Sequence, residues 1–323
     1  MLRFVLRRLL MIPPALVLVN FFGYAYAHVV LPLRAARTPY LLGRAESPPL
    51  LQGYGDYVQR AVRLDLGPPL ARMAGRTLAE VLGEAILASM GLLAIALALS
   101  ALIGVGLGLL STRANPPRQA RWLPVVSTVG LAMPSFYIGS LLILALFASV
   151  LWGEGNKLLL PLQGFGWDEH LVLPTLALVV RPAVQVAQVT SALLRDELGK
   201  QYVVAARSVG NSWAVVRRRH ALRNILSSVV LTVAGSVRLL VGELILVEWL
   251  FRWPGLGYLF AQTLIPPRLS SGYGSTMFLN PPAAATILTI FAALFLWTDL
   301  VASFTVRAID PRLRVEVEEV VHV

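Results

Sequence analysis

Four charged side chains sit where charge is expensive. Arg181, Arg238, Glu243 and Asp299 each fall inside a long apolar run, and an ionised side chain at the centre of a membrane-crossing helix costs about 2.5–3.5 kcal/mol on insertion scales. Such groups face protein or water. Two uses stay open for Arg181, Arg238 and Glu243: structural ion pairing between helices, or lining a path that meets a charged solute. Arg238 and Glu243 are five residues apart, about 140° around a helix of 3.6 residues per turn, so they are poorly placed to pair with each other. Arg181 and Glu243 fall at similar depth in the fourth and fifth runs. Asp299 lies nearer the end of the sixth and reads as a packing or interfacial residue. Bond-making chemistry has no support. His28, His170, His220 and His322 lack metal-ligand spacing, there is no cysteine, and no histidines and acids converge at one depth. No catalytic, metal or cofactor-binding residue is assigned.

A second group of charges stands between two apolar runs, in "QYVVAARSVGNSWAVVRRRHALRNIL", residues 201–226. Tyr202, Ala205, Ala206 and Val209 recur at helical spacing and share a face, made shallow by its two alanines. Gly210 and Asn211 tolerate the left-handed conformation and stop a helix. Ser212 is then placed to cap a second helix starting at Trp213. Arg217, Arg218, Arg219 and Arg223 form a basic flank. Contact with lipid head groups accounts for those arginines. It leaves the alanine face, the Gly-Asn break and Trp213 unexplained; a surface gripped by another protein would account for them.

The elements that must position these residues are membrane helices. Of the 323 residues 57% are hydrophobic and 14% charged, with mean hydropathy +0.70, beyond what soluble domains show. The net charge of +11 punctuates apolar runs instead of collecting on one soluble domain, which argues against nucleic acid as a partner. Six runs, near 9–30, 86–110, 123–151, 171–193, 225–249 and 283–306, are long enough for a hydrocarbon core of about 30 Å, which takes about 20 helical residues. They lack the alternation of a barrel. The fold class is therefore all-α, a single six-helix membrane domain over 1–323. With the N-terminus inside, the inner segments carry sixteen basic residues against six acidic, which places both termini in the cytoplasm. The loop 194–224 is then cytoplasmic and 31–85 lies outside. Within 31–85, "ESPPLLQGYG" reads as loop and "GDYVQRAVRLDLG" as a short surface helix ending at Gly67. Ala25-Tyr26-Ala27 has the form of a signal cleavage site, but the run is long for a signal and begins with Pro13-Pro14, so the first span is expected to be retained. Pro134 and Pro182 are candidate kinks. Trp253-Pro254-Gly255 reads as an outer turn, with an interfacial tryptophan or a gating role equally open.

The loop sequence resembles the cytoplasmic loop of ATP-binding-cassette importer permeases, of the dipeptide, oligopeptide and nickel branch. That family shows Glu-Ala-Ala, three residues, then Gly; the series here is Val204, Ala205, Ala206 and Gly210. "HALRN" (220–224) is similar to that branch's extension. "RLDLG" (63–67), "MPSFYIG" (133–139), "EWLFRWPGLGYLF" (248–260) and "DPRLR" (310–314) match in the same order. The leading Glu is replaced by Val204 and the Pro that closes the loop by Ser228, which bears on the strength of coupling.

The resemblance implies a permease subunit in a bacterial inner membrane, forming half of a translocation pathway. A second homologous permease would supply the other half. Two ATPase subunits, carrying ATP and Mg, would grip Tyr202, Ala205, Ala206, Val209, Gly210, Asn211 and Trp213. An external binding protein would deliver the solute, a di- or oligopeptide by this resemblance, with nickel chelates and glutathione-like molecules as alternatives. The chain itself has no G-x-x-x-x-G-K-[ST] phosphate loop: Gly199-Lys200 is followed by Gln201 and lacks the earlier glycine. The rival reading is an ion-coupled secondary transporter using Glu243 and Asp299, but no internal repeat or pair of broken helices supports it.

Overall fold

Inside lipid every backbone N–H and C=O needs a partner, and a helix provides them all locally. The computed structural model describes residues 2–37, 48–63, 65–66, 77–152, 158–265 and 278–309, and helices dominate it. They are α1 (Leu2–Arg37), α2 (Leu50–Val62), α3 (Leu78–Ser111), α4 (Trp122–Ala132), α5 (Ser135–Trp152), α6 (Val172–Leu198), α7 (Gln201–Ser208), α8 (Trp213–Phe251), α9 (Leu256–Leu264) and α10 (Pro281–Ile309). Six of them, α1, α3, α5, α6, α8 and α10, are long and apolar enough to cross a membrane. The tail motif at 310–314 and Gly67 lie outside the described residues.

Three elements differ from the sequence expectation. The third run is not one helix over 123–151. Met133 takes an extended conformation and separates α4 from α5, because Pro134 disfavours a helical residue before it and offers no N–H. Pro182, in contrast, stays inside a continuous α6. The all-α expectation misses a small antiparallel hairpin, β1 (Thr112–Ala114) with β2 (Pro117–Gln119), in which Arg113 faces Arg118. Finally, α2 starts at Leu50, inside the stretch read as loop, and ends at Val62.

One compact unit comprises Met1–Gly91, Gln163–Phe165 and Leu244–Trp297. Its polar anchor is Asn20 of α1. The Asn20 amide donates to Tyr57 Oη at 3.0 Å and to Thr289 Oγ1 at 2.9 Å, and accepts from Tyr54 Oη at 3.1 Å. Tyr24 stacks on Tyr57 with ring centroids 5.4 Å apart. Thus α2 is fastened to α1 and α10 by aromatic faces with satisfied hydroxyls.

The other unit comprises Leu92–Leu162, Gly166–Glu243 and Thr298–Val323, with α6, the most buried span, at its centre. α4, α5 and the hairpin all pack on α6. α3 approaches it through Gly104 and Gly108, a small-residue pair that lets membrane helices touch backbone to backbone. A Cβ on Gly104 would lie 2.6 Å from Ala183 O, and one on Gly108 would lie 2.6 Å from Thr190 Cβ. Gly106, between them, would meet nothing within 4 Å. Gly104→Ala and Gly108→Ala are therefore expected to cost about 1–3 kcal/mol each by overpacking, whereas Gly106→Ala is neutral or mildly stabilising. Thermal unfolding of the three variants in detergent checks this; equal midpoints would refute the close approach.

Candidate functional site

The segment 194–226 is organised around one carboxylate. Glu197, buried near the end of α6, accepts from Tyr202 Oη at 3.0 Å and Asn224 Nδ2 at 2.9 Å, and pairs with Lys200 Nζ at 2.5 Å. These contacts tie α7 to the end of α6 and the start of α8. Burial, then the hydrogen bond to Glu197, pushes the Tyr202 phenol up to about 12, so at neutral pH it stays protonated and donates. Behind the carboxylate, Leu194, Leu198, Val203, Val216, Ala221 and Ile225 form an apolar core with Tyr202, Ala206 and Trp213 against it.

The turn after α7 is equally determined. Gly210 has φ +91°, a left-handed value that a side chain would strain. Asn211 Nδ2 caps Ala206 O at 3.1 Å, and Ser212 Oγ accepts from Val215 N at 3.3 Å. Arg207 bonds the Asn211 carbonyl and lies over the Trp213 ring at 4.9 Å, a cation–π contact. A π-type turn over Val216–Ala221, within the first turns of α8, carries Arg217, Arg218, Arg219 and His220.

The stripe expected on one face is divided by the fold. Tyr202 and Ala206 turn toward the core, because Glu197 holds the phenol and Val203 takes the buried position between them. The outward face of α7 is Val204, Ala205, Ser208 and Val209, with Val204 69% and Val209 82% exposed. Thus Val204, which stands where the resembled loop has Glu, is exposed.

The intramembrane charges pair across helices. Arg181 of α6 meets Glu243 of α8, and Ser135 Oγ, at the start of α5, bonds the other Glu243 oxygen. The side chains are 24% and 13% exposed. Arg238 pairs with Asp299 at 2.9 Å, which makes Asp299 an ion-pair partner. The break before Ser135 has a use here, since it delivers the N-terminal end of α5 to a carboxylate, where helix N–H groups favour negative charge.

Comparison with known proteins agrees with this architecture. The family described as "Binding-protein-dependent transport system inner membrane component" matches residues 104–315. The chain belongs to this family of importer permeases. It is 26% identical to the glutathione transport system permease protein GsiC of Escherichia coli strain K12, over 97% of this chain and 99% of the relative. The same protein of Shigella flexneri serotype 5b is equally similar over the same shares. This makes the chain the permease subunit of an ATP-binding-cassette importer, resident in the inner membrane, and the family is not itself catalytic.

Two carboxylates of this permease escape a reading by sequence alone. Glu197 looks like one more loop charge, and Glu248 looks like part of an outer turn. Glu248 is fully buried, accepting from Ser89 Oγ at 2.6 Å and from the N–H groups of Gly257 at 2.6 Å and Tyr258 at 3.3 Å. Trp253 is fully buried beside it, with Nε1 donating to Ala88 O at 3.1 Å, so its ring is packed in protein and not presented to lipid. The glycines were the available signal: a Cβ at Gly255 would run into the Glu248 carboxylate, and one at Gly257 would lie 2.5 Å from Ile245 Cα.

The Arg181–Glu243 pair makes a prediction about this permease. Glu243→Gln leaves Arg181 half-buried without its counter-ion and is expected to cost about 2–4 kcal/mol, less than a fully buried pair because Arg181 retains some exposure. Arg181→Met combined with Glu243→Leu should recover most of that loss, since no uncompensated charge remains. Thermal unfolding of the purified variants decides it; a double variant as unstable as Glu243→Gln would show that the pair is not the source of the cost.

Proposed function

We propose that this permease forms half of the pathway of an importer for short peptides, with both chain ends in the cytoplasm and α7 docked in a groove on an ATPase subunit. A second homologous permease completes the pathway, two ATPase subunits supply ATP and Mg chemistry, and an external binding protein delivers the cargo. The positive bias of the inner segments supports this orientation, with Arg217, Arg218, Arg219 and Arg223 acting mainly as head-group anchors. Relatives named for the transport of glutathione, itself a tripeptide, support a peptide-like cargo.

The observation that carries the reading is the geometry of α7. Its outward face, Val204, Ala205, Ser208 and Val209, is apolar or small and exposed, while its inward face is clamped by Glu197 to α6 and α8. A short helix held from behind and bare in front is suited to receive a push and pass it on. ATPase closure shifts α7, and α6 and α8 shift with it, so that access alternates between two states that the ATPase contacts stabilise differently. Arg181, Arg238 and Glu243 lie toward the pathway and the second permease.

Ala205→Glu tests the docking. It places a charge in the outward face and leaves the Glu197 clamp intact. The expectation is a loss of at least about tenfold in ATP-driven uptake and in ATPase co-purification, as for a central interface residue, with normal membrane content. Unchanged uptake and co-purification would sink the assignment.

A further inference from the structure

α6 is buried along most of its length, yet it keeps one polar strip open. Arg181, Gln185, Gln188, Ala192 and Arg195 are all incompletely buried. Their spacings of four, three, four and three put them on one helical face. Toward the N-terminal end the same face is shut by Pro174, Ala177 and Leu178, all buried. The strip therefore begins at the Arg181–Glu243–Ser135 cluster and opens toward α7.

Its chemistry does not suit lipid. Gln188 is exposed and Gln185 half-buried, and among the described residues neither amide has a hydrogen-bond partner. Arg181 Nε is likewise buried and unpartnered. An amide without a partner is costly in hydrocarbon, and polar side chains inside spans face protein or a water-filled cavity. Elsewhere the exposed surface of a span has the expected composition: on α5 it presents Leu141, Leu144, Phe147 and Leu151.

We infer that Arg181, Gln185 and Gln188 line a water-filled route along α6, and that the two amides hydrogen-bond the peptide groups of the cargo as it passes. A carboxamide both donates and accepts, as a peptide group does. Being neutral, it holds a passing cargo weakly enough to release it, as conduction requires. The cargo-contact half of the inference rests on the peptide-importer reading; the water-filled route does not.

The absence of cysteine from the chain makes the test direct. Gln185→Cys, Gln188→Cys and the lipid-facing control Leu144→Cys are each assembled with the partner subunits in nanodiscs and treated with a charged, membrane-impermeant methanethiosulfonate. Labelling is read from the intact mass of this chain. Positions 185 and 188 should react at least about tenfold faster than 144, because a thiol must ionise in water to react, and trialanine should slow both. If 185 and 188 are as inert as 144, the strip is covered by lipid or by the second permease and the inference is wrong. In parallel, Gln188→Leu should raise the KM for trialanine uptake about 3- to 10-fold, the worth of one hydrogen bond, with kcat and thermal midpoint unchanged and Gln188→Asn intermediate. Labelling with wild-type uptake in Gln188→Leu leaves the route standing and overturns the cargo contact. If the wild-type transporter takes up no trialanine, the peptide reading fails and takes the cargo contact with it, while labelling still decides the route.

Discussion

No polar group can be left alone in hydrocarbon, and in this chain that constraint determines which helices touch. Each buried or half-buried carboxylate marks a junction. Glu248 joins α8 to α3 and to the start of α9 through Ser89 and two backbone N–H groups. Glu243 joins α8 to α6 and α5, and Glu197 joins α6 to α7 and α8. Apolar packing cannot by itself choose among neighbours, since lipid tails are as apolar as leucine. A carboxylate chooses sharply, because an unsatisfied acceptor is so costly. The small-residue contact of Gly104 and Gly108 with α6 supplies what the carboxylates cannot, a long seam of close van der Waals approach.

The spans were legible because their signal is additive. Twenty apolar residues in a row survive any local ambiguity, and the candidate spans of the structure fall on the same six runs. What escaped depends on single contacts. Gly53 reads as a loop residue, but it lies within α2, where a Cβ would come 2.8 Å from Tyr24 Oη; the glycine serves a close approach, not a turn. Pro134 looked like a kink and proved a full break, since Glu243, 109 residues later in sequence, rewards the free helix end that the break creates. Tyr202 reads as a member of an outward stripe, but Glu197 holds its hydroxyl. In each case the deciding partner is remote in sequence or on another helix, where periodicity carries no information.

The pairing of charges follows the same logic. Helix geometry rules out an Arg238–Glu243 pair, but it says nothing about which remote group each one finds. Arg238 finds Asp299, and Glu243 finds Arg181 and Ser135. The glutamines at 185 and 188 are silent in the sequence because an uncharged amide barely alters a hydropathy profile. They stand out only when the burial of α6 shows them on its open polar strip.

The two helices that hold α7 are also the two that hold the intramembrane pair. Sixteen residues separate Arg181 from Glu197 on α6, and nineteen separate Asn224 from Glu243 on α8, lengths of about 24 and 28 Å at 1.5 Å per residue. A displacement of α7 in the proposed cycle therefore reaches Arg181 and Glu243 through two rods clamped together at one end by Glu197 and bridged at the other by the ion pair. If the rods move together, the pair survives and the open strip of α6 changes its exposure as a body. If they shear, the Arg181–Glu243 contact is the first to part, since it sits farthest from the Glu197 clamp. An ion pair in a half-buried site is suited to that place, because water can take over its hydrogen bonds when it opens, which an apolar contact there would not permit.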